Sequence, residues 1–422
     1  MRAIDGGYNY GIKGVLFFER GHCSMKDLKH IHYYEQLLEQ TANELVLKEK
    51  DAGGVAVGYT CYYVPEVLLN CGSAFSVRLR APNTGSLDIS QYYMSSFICG
   101  YTRALFERAF EGGMNFLDFY ASSDTCQQMV RVVENIRELD LINNPRFGWG
   151  IIDAPLKVSP HGIKLYIEQI RDHILKPLAE NYGVDISDEA IRAAVREHNE
   201  ICAIFEEISE MRKEESPRIT PREFHILSMV SYCCPNSQIL PYLRESLEDI
   251  RTREPDPPGR WRARVVVVGS ELDDYAFSEI LENARCYVAA DRYCFGSIPG
   301  RQQIPLTDDE PALDQVCRYY LETNQCPRFM SQEKIMQRRE TIRDLAKEYK
   351  ADGVLIEQAK FCDFWGYERT LNTQVLQQEY GLPTLGIDRE YVVRGSGQLG
   401  TRIQAFVESL EIKKIQKGGG AE

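Results

Sequence analysis

Thirteen cysteines in 422 residues are more than packing needs, and a thiolate is both a nucleophile and a soft metal ligand. Their places along the chain sort them. Cys61 in "GYTCYYVPEVLLNCGS" (58–73), Cys126 in "NFLDFYASSDTC", Cys294 in "YVAADRYC" and Cys362 in "GVLIEQAKFC" each stand just past an apolar run that reads as a β-strand. Cys71 in "LLNCG" and Cys326 in "NQCPR" fall at expected helix ends beside Gly or Pro, turn positions from which a thiol can point into a cleft. The other seven fit packing better. Cys99, Cys202 and Cys317 lie inside helical patterns, Cys286 begins a strand, Cys23 precedes the first helix, and Cys233 and Cys234 are adjacent. The odd count argues against a disulfide framework, as does the reducing compartment expected for this chain. Neither paired CxxC zinc spacing nor the compact ferredoxin run occurs. Scattered cysteines converging in a cleft are compatible with an iron–sulfur cluster held between domains, although spacing alone does not prove one.

Other chemistries find less support. No GxxxxGK[ST] loop occurs, so the chain is not expected to hydrolyse ATP itself. "RGSGQLG" (394–400) places Gly395, Gly397 and Gly400 at GxGxxG spacing before a helix, which suits an anion-binding turn or a plain glycine-rich loop equally. His30 and His32 are two apart on a helix and make a poor metal pair. Glu357 and Lys360 stand between a strand and Cys362 and are candidates for handling protons. Tyr62, Tyr63 and Trp365 flank candidate ligands and serve either as pocket walls or as ordinary core aromatics. A net charge of −13 argues against a nucleic-acid or anionic-membrane partner. No apolar run of membrane-spanning length and no secretory leader pattern occurs, so a cytoplasmic location is expected.

The elements that must position these residues alternate. Residues 25–50 read as one amphipathic helix. Strands are expected at 53–60, 75–80, 115–123 and 148–155, with "VPEVLLN" a short helix and "QYYMSSFICGYTRALFERAFEG" a longer one. Residues 160–250 hold no convincing strand, and Ser187 and Asp188 open a long helix there. "REPDPPGR" (253–260) reads as a linker, after which strand and helix alternate again to the closing helix "TRIQAFVESLEIKK". The expected fold is α/β, two parallel-sheet domains of flavodoxin-like (Rossmann-like) type with an N-terminal helical segment and a helical insertion. The boundaries are 1–50, 51–158, 159–252, the linker 253–260, 261–415 and a flexible tail at 416–422.

From about residue 50 to the C-terminus the chain resembles the 2-hydroxyacyl-CoA dehydratase and benzoyl-CoA reductase family. The segments that carry the resemblance are "GYTCYYVPEVLLNCGSAFSVRLRAP", "NFLDFYASSDTC", "ADGVLIEQAKFCDFWGYE" and "PTLGIDREYVVRGSGQLGTRIQAFVE", in the family's order. The resemblance implies a cluster between two flavodoxin-like domains, and electrons delivered by a separate ATP-hydrolysing iron–sulfur activator. By position it places the ligands of one [4Fe–4S] cluster on Cys61, Cys126 and Cys362. The chain departs from the dehydratase pattern at Cys71, where a small residue is usual. With Cys294 and Cys326, Cys71 makes a second set of three, similar to the double-cubane cluster proteins. That branch implies a homodimer with a double-cubane [8Fe–9S] cluster on six thiolates, reducing small molecules of the acetylene type. Cys286 competes with Cys294 for one place; Cys294 is preferred because "ADRYC" lies beyond the strand. The alternative is a subunit of an (R)-2-hydroxyacyl-CoA dehydratase or benzoyl-CoA reductase with one [4Fe–4S] cluster, and a third class is an electron carrier without turnover.

Overall fold

Strands buried on both faces are written as near-continuous apolar runs, and the chain has two sets of them. The computed structural model describes residues 27–391 and 396–418. β1 (Val55–Tyr59), β2 (Ala74–Arg78), β3 (Phe119–Ser123) and β4 (Gly148–Ile152) form one parallel sheet in the order β2-β1-β3-β4. β5 (Ala263–Val268), β6 (Cys286–Arg292), β7 (Gly353–Ala359) and β8 (Thr384–Arg389) form a second in the order β6-β5-β7-β8. Side chains alternate between faces, as the pleat requires. Val55, Val57 and Tyr59 enter one core while Ala56 enters the other, and Val265 and Val266 of β5 divide in the same way. In each sheet the order reverses beside the first strand, which opens a crevice at the carboxyl edge.

The helices cover these sheets and add a third core. The stretch read as one helix over 25–50 is two, Ile31–Leu38 and Glu44–Asp51, because the Asn43 side chain caps the second by accepting from the backbone N–H of Leu45 and Val46. Leu28, Ile31 and Leu37 pack with the helices Asp188–Met211, Pro221–Cys233 and Asn236–Thr252, so the N-terminal helices and the inserted ones share one interior. Ser187 caps the first of these, accepting from Ala190 N–H as its sequence suggests. Within 253–260, Asp256 is buried and accepts from the indole of Trp261 at 2.8 Å, so this segment is packed rather than loose. The closing helix, Ser396–Gly418, continues into the stretch read as a tail. Cys23, Gly395 and residues 419–422 lie outside the described residues.

A second difference bears on the site. The long helix expected over 91–112 is broken. A short turn at Ser90–Tyr93 ends at Met94, and the helix proper is Gly100–Phe110 with Cys99 as its N-cap. The Ser95 hydroxyl takes the Phe97 N–H at 3.2 Å, the local competition that keeps serine out of helix interiors. Gly100 then passes so close to Tyr391 that a Cβ there would meet the tyrosine Cβ at 2.3 Å.

Two buried ion pairs hold the sheets against each other. Arg78, at the end of β2, reaches Glu271 at 3.3 Å and the carbonyl of Cys294. Glu66 lies 3.1 Å from Arg301 and accepts from the Tyr320 hydroxyl at 3.2 Å.

Candidate metal centre

Six thiols surround one cavity of about 100 Å³ between the two sheets: Cys61, Cys99, Cys126, Cys294, Cys326 and Cys362. Three come from the first α/β region and three from the second. Cys61 follows β1 and Cys126 follows β3, the two strands that flank the reversal in the first sheet. Cys362 follows β7 and Cys294 follows β6. The remaining wall is largely apolar, with Met129, Phe364 and Trp365.

Local structure aims these thiols. Cys99, Cys126 and Cys362 are N-caps of the helices Gly100–Phe110, Gln127–Glu138 and Asp363–Glu379. Three helix N-termini, with their free N–H groups and positive ends, therefore converge on the cavity. The N–H groups of Gln128 and Met129 favour a thiolate at Cys126, those of Tyr101 and Thr102 at Cys99, and that of Trp365 at Cys362. Phe361 takes a left-handed φ of 69° immediately before Cys362, a strained conformation that turns the thiol inward. Gln128 ties two cysteine loops together: its oxygen accepts from Cys99 N–H at 2.7 Å and its amide donates to the carbonyl of Phe361 at 2.6 Å. The Thr125 hydroxyl lies 3.4 Å from the Cys61 sulfur.

Burial dominates the electrostatics. It pushes the Cys126 and Cys326 thiols up to about 12 and those of Cys294 and Cys362 well above the ordinary value. Bound metal reverses that logic, since a coordinated thiol gives up its proton. Glu271 also faces the cavity. Burial raises its carboxyl to about 7, while Arg78 and the Cys294 thiol pull it down.

The residues fit a metal–sulfur group. The donors are thiols with no imidazole among them, a soft set, in a wall that excludes water. Among the described residues no three His, Cys, Asp or Glu side chains close on a single ion. The thiols enclose a volume instead, which suits a body of several metals.

The sequence placed five of these six thiols. Cys71 is not at the cavity. It precedes β2, where the Val55 N–H bonds the Ser73 carbonyl, so it sits at the amino edge of the sheet, fully buried in an apolar core. Cys286, at the start of β6, is at the equivalent edge of the second sheet, which leaves Cys294 as the residue facing the cavity. Cys99, and not Cys71, is the sixth thiol lining the cavity. The "SSF" and "CG" breaks in "MSSFICGYTR" are the signal that could have marked it as a cap rather than a helix interior. Glu357 does not line the cavity: it is wholly buried, accepting from Ser270 N–H and hydroxyl at 3.0 and 2.8 Å and from Arg389 at 2.9 Å. Lys360 turns outward to Glu390. Tyr62 stacks on Tyr320, and Tyr63 lies in the core.

A family model described as "2-hydroxyglutaryl-CoA dehydratase, D-component" matches residues 61–410. The chain belongs to that family. Its family relatives include the (R)-phenyllactyl-CoA dehydratase beta subunit of Clostridium sporogenes, 23% identical, with 90% of this chain and 99% of the relative aligned. The (R)-2-hydroxyglutaryl-CoA dehydratase subunit beta of Acidaminococcus fermentans is 21% identical over 89% of this chain and 97% of its own length. A benzoyl-CoA reductase subunit of Thauera aromatica is 19% identical over 75% and 81%. The dehydratase D-component family match begins at Cys61, so it contains all six cavity thiols. No helix among the described residues is long and apolar enough to cross a membrane.

Proposed function

We propose that this chain is an iron–sulfur reductase of the dehydratase family. In this reading Cys61, Cys99, Cys126, Cys294, Cys326 and Cys362 hold a double-cubane [8Fe–9S] cluster. The observation that carries the reading is the set of six thiols, three from each sheet region, facing one water-poor cavity. Such a group supplies storage and transfer of strongly reducing electrons when bound. The chain's own residues do the rest. Three helix N-termini stabilise negative charge on the sulfurs, the aromatic wall excludes water, and the Glu271 carboxyl holds a proton beside Cys294. The family resemblance implies a separate ATP-hydrolysing activator as electron donor, which agrees with the missing ATP-binding loop. The working form is a homodimer, and the substrate is a small molecule of the acetylene type.

The relatives' names favour a second reading. Their near-complete coverage supports a subunit of an (R)-2-hydroxyacyl-CoA dehydratase or benzoyl-CoA reductase, with one [4Fe–4S] cluster on Cys61, Cys126 and Cys362. Iron and acid-labile sulfide per chain, counted in anaerobically purified protein, separates the two. About eight irons supports the double cubane, about four the single cluster, and almost none after reconstitution removes both.

A further inference from the structure

A smaller chamber of about 40 Å³ adjoins the main cavity, sharing Cys294, Cys326 and Trp365 with it. Its walls are mostly apolar, yet two buried donors that line it have no partner: Arg292 Nη1 and Asn324 Nδ2. Neither can readily turn away. Arg292 Nε and Nη2 are tied to the side-chain and backbone oxygens of Gln325, and no carboxylate pairs with this guanidinium among the described residues. Asn324 Oδ1 accepts from Cys326 N–H at 2.8 Å, which fixes the orientation of the amide. Glu368, engaged by Arg338, offsets the Arg292 charge only from a distance, and each unpartnered buried donor costs about 1–3 kcal/mol. An anion in the chamber relieves both. At roughly 10–15 Å³ for each water-sized group, the space admits about three heavy atoms and no acyl-CoA.

We propose that this chamber binds a small monoanion of about three heavy atoms, held by Arg292 Nη1 and Asn324 Nδ2 beside the Cys294 and Cys326 thiols. The proposal deepens the small-molecule reductase reading by naming its ligand class. It rests on that reading for the supply of electrons but not for binding.

The test titrates anaerobically purified full-length protein with cyanate, followed by calorimetry, with iron counted in each sample. Nitrous oxide, a neutral linear molecule of the same size, is the competitor. Asn324→Asp keeps the acceptor for Cys326 N–H but replaces the donor with a carboxylate that repels an anion; Arg292→Met removes the positive charge. Cyanate should bind the wild type, each substitution should weaken it about tenfold or more, and nitrous oxide should not displace it. Binding that persists in iron-free protein and still depends on Arg292 supports the chamber independently of the cluster reading, which the iron count after reconstitution decides. Iron-loaded wild type with no cyanate binding up to on the order of 10 mM overturns the chamber and leaves the cluster reading intact. So does a result in which Asn324→Asp shifts only the midpoint potential, because the donors then serve the cluster sulfides.

Discussion

The two sheet regions share one strand order and bring three thiols each to the cavity, but they present them differently. In the first region two of the three, Cys99 and Cys126, are helix N-caps bathed in backbone N–H groups, and the nearby polar groups are neutral threonines. In the second region only Cys362 is an N-cap. Cys294 and Cys326 sit on loops, fixed by the Ser270 carbonyl at 3.1 Å and the Asn324 side chain, and the charges at or beside the cavity, Glu271 and Arg292, belong to this side. Topology places the crevice, and loops on a common scaffold decide its chemistry. Both halves bring sulfur to the cavity, but the first surrounds it mainly with backbone N–H groups and the second adds the charged side chains.

The largest effect expected from breaking this arrangement is on the first region. Cys99→Ser should lower iron from about eight to about four per chain, whereas Cys71→Ser should leave iron unchanged and cost only on the order of 1 kcal/mol of stability. Equal iron loss in both would return Cys71 to the ligand set and contradict the cavity. Next, Glu271→Gln in the second region keeps the shape but removes the acid. Reduction of a small substrate with activator-supplied electrons should fall about 100-fold at constant iron content; an unchanged rate would leave Glu271 with only its ion pair to Arg78.

A third substitution tests the tie between the halves. Gln128→Leu strands the Cys99 N–H and the Phe361 carbonyl together. Urea unfolding should show a loss of about 2 kcal/mol, and iron retention should drop. Loss of stability with full iron retention would mean that Gln128 supports the fold without positioning the thiols.

How far the sequence led follows from the same contrast. Strand ends are legible because parallel strands are continuous apolar runs, so Cys61, Cys126, Cys294 and Cys362 could be read directly. Cys326 was legible as a turn beside proline. Cys99 was not, since its helical periodicity masks a break imposed by Ser95 and by the close approach of Tyr391 to Gly100. Cys71 misled because closeness in sequence to Cys61 hides the fact that the chain crosses to the other edge of the sheet before β2. Glu357 and Lys360 misled for a related reason: successive residues at a strand end point in different directions. Glu271 follows β5 in "VVVVGSELDD", and only folding reveals that it meets Arg78, 193 residues away.

The smallest effect concerns the seam, where Glu66 of the first region meets Arg301 of the second. His198, from the inserted helices, meets Glu66 through Nδ1 at 3.3 Å, while its Nε2 lies 3.2 Å from the Cys202 sulfur and 3.3 Å from the Gln302 carbonyl. Burial disfavours its charge, but Cys202 and Glu66 prevail and raise it to about 10; burial likewise opposes the Glu66 carboxylate, which Arg301 and His198 hold down to about 2. A raised histidine contributes stability in full below the unfolded value of about 6.5, lost as pH rises through 10. The depressed carboxylate acts in the opposite direction, adding stability above about 4.5 that is lost as pH falls through 2. Unfolding free energy should therefore decline between about pH 6.5 and 10, and His198→Gln should flatten that decline while leaving iron content alone. A slope that survives the substitution would move the alkaline sensitivity away from the seam and into one of the two regions it joins.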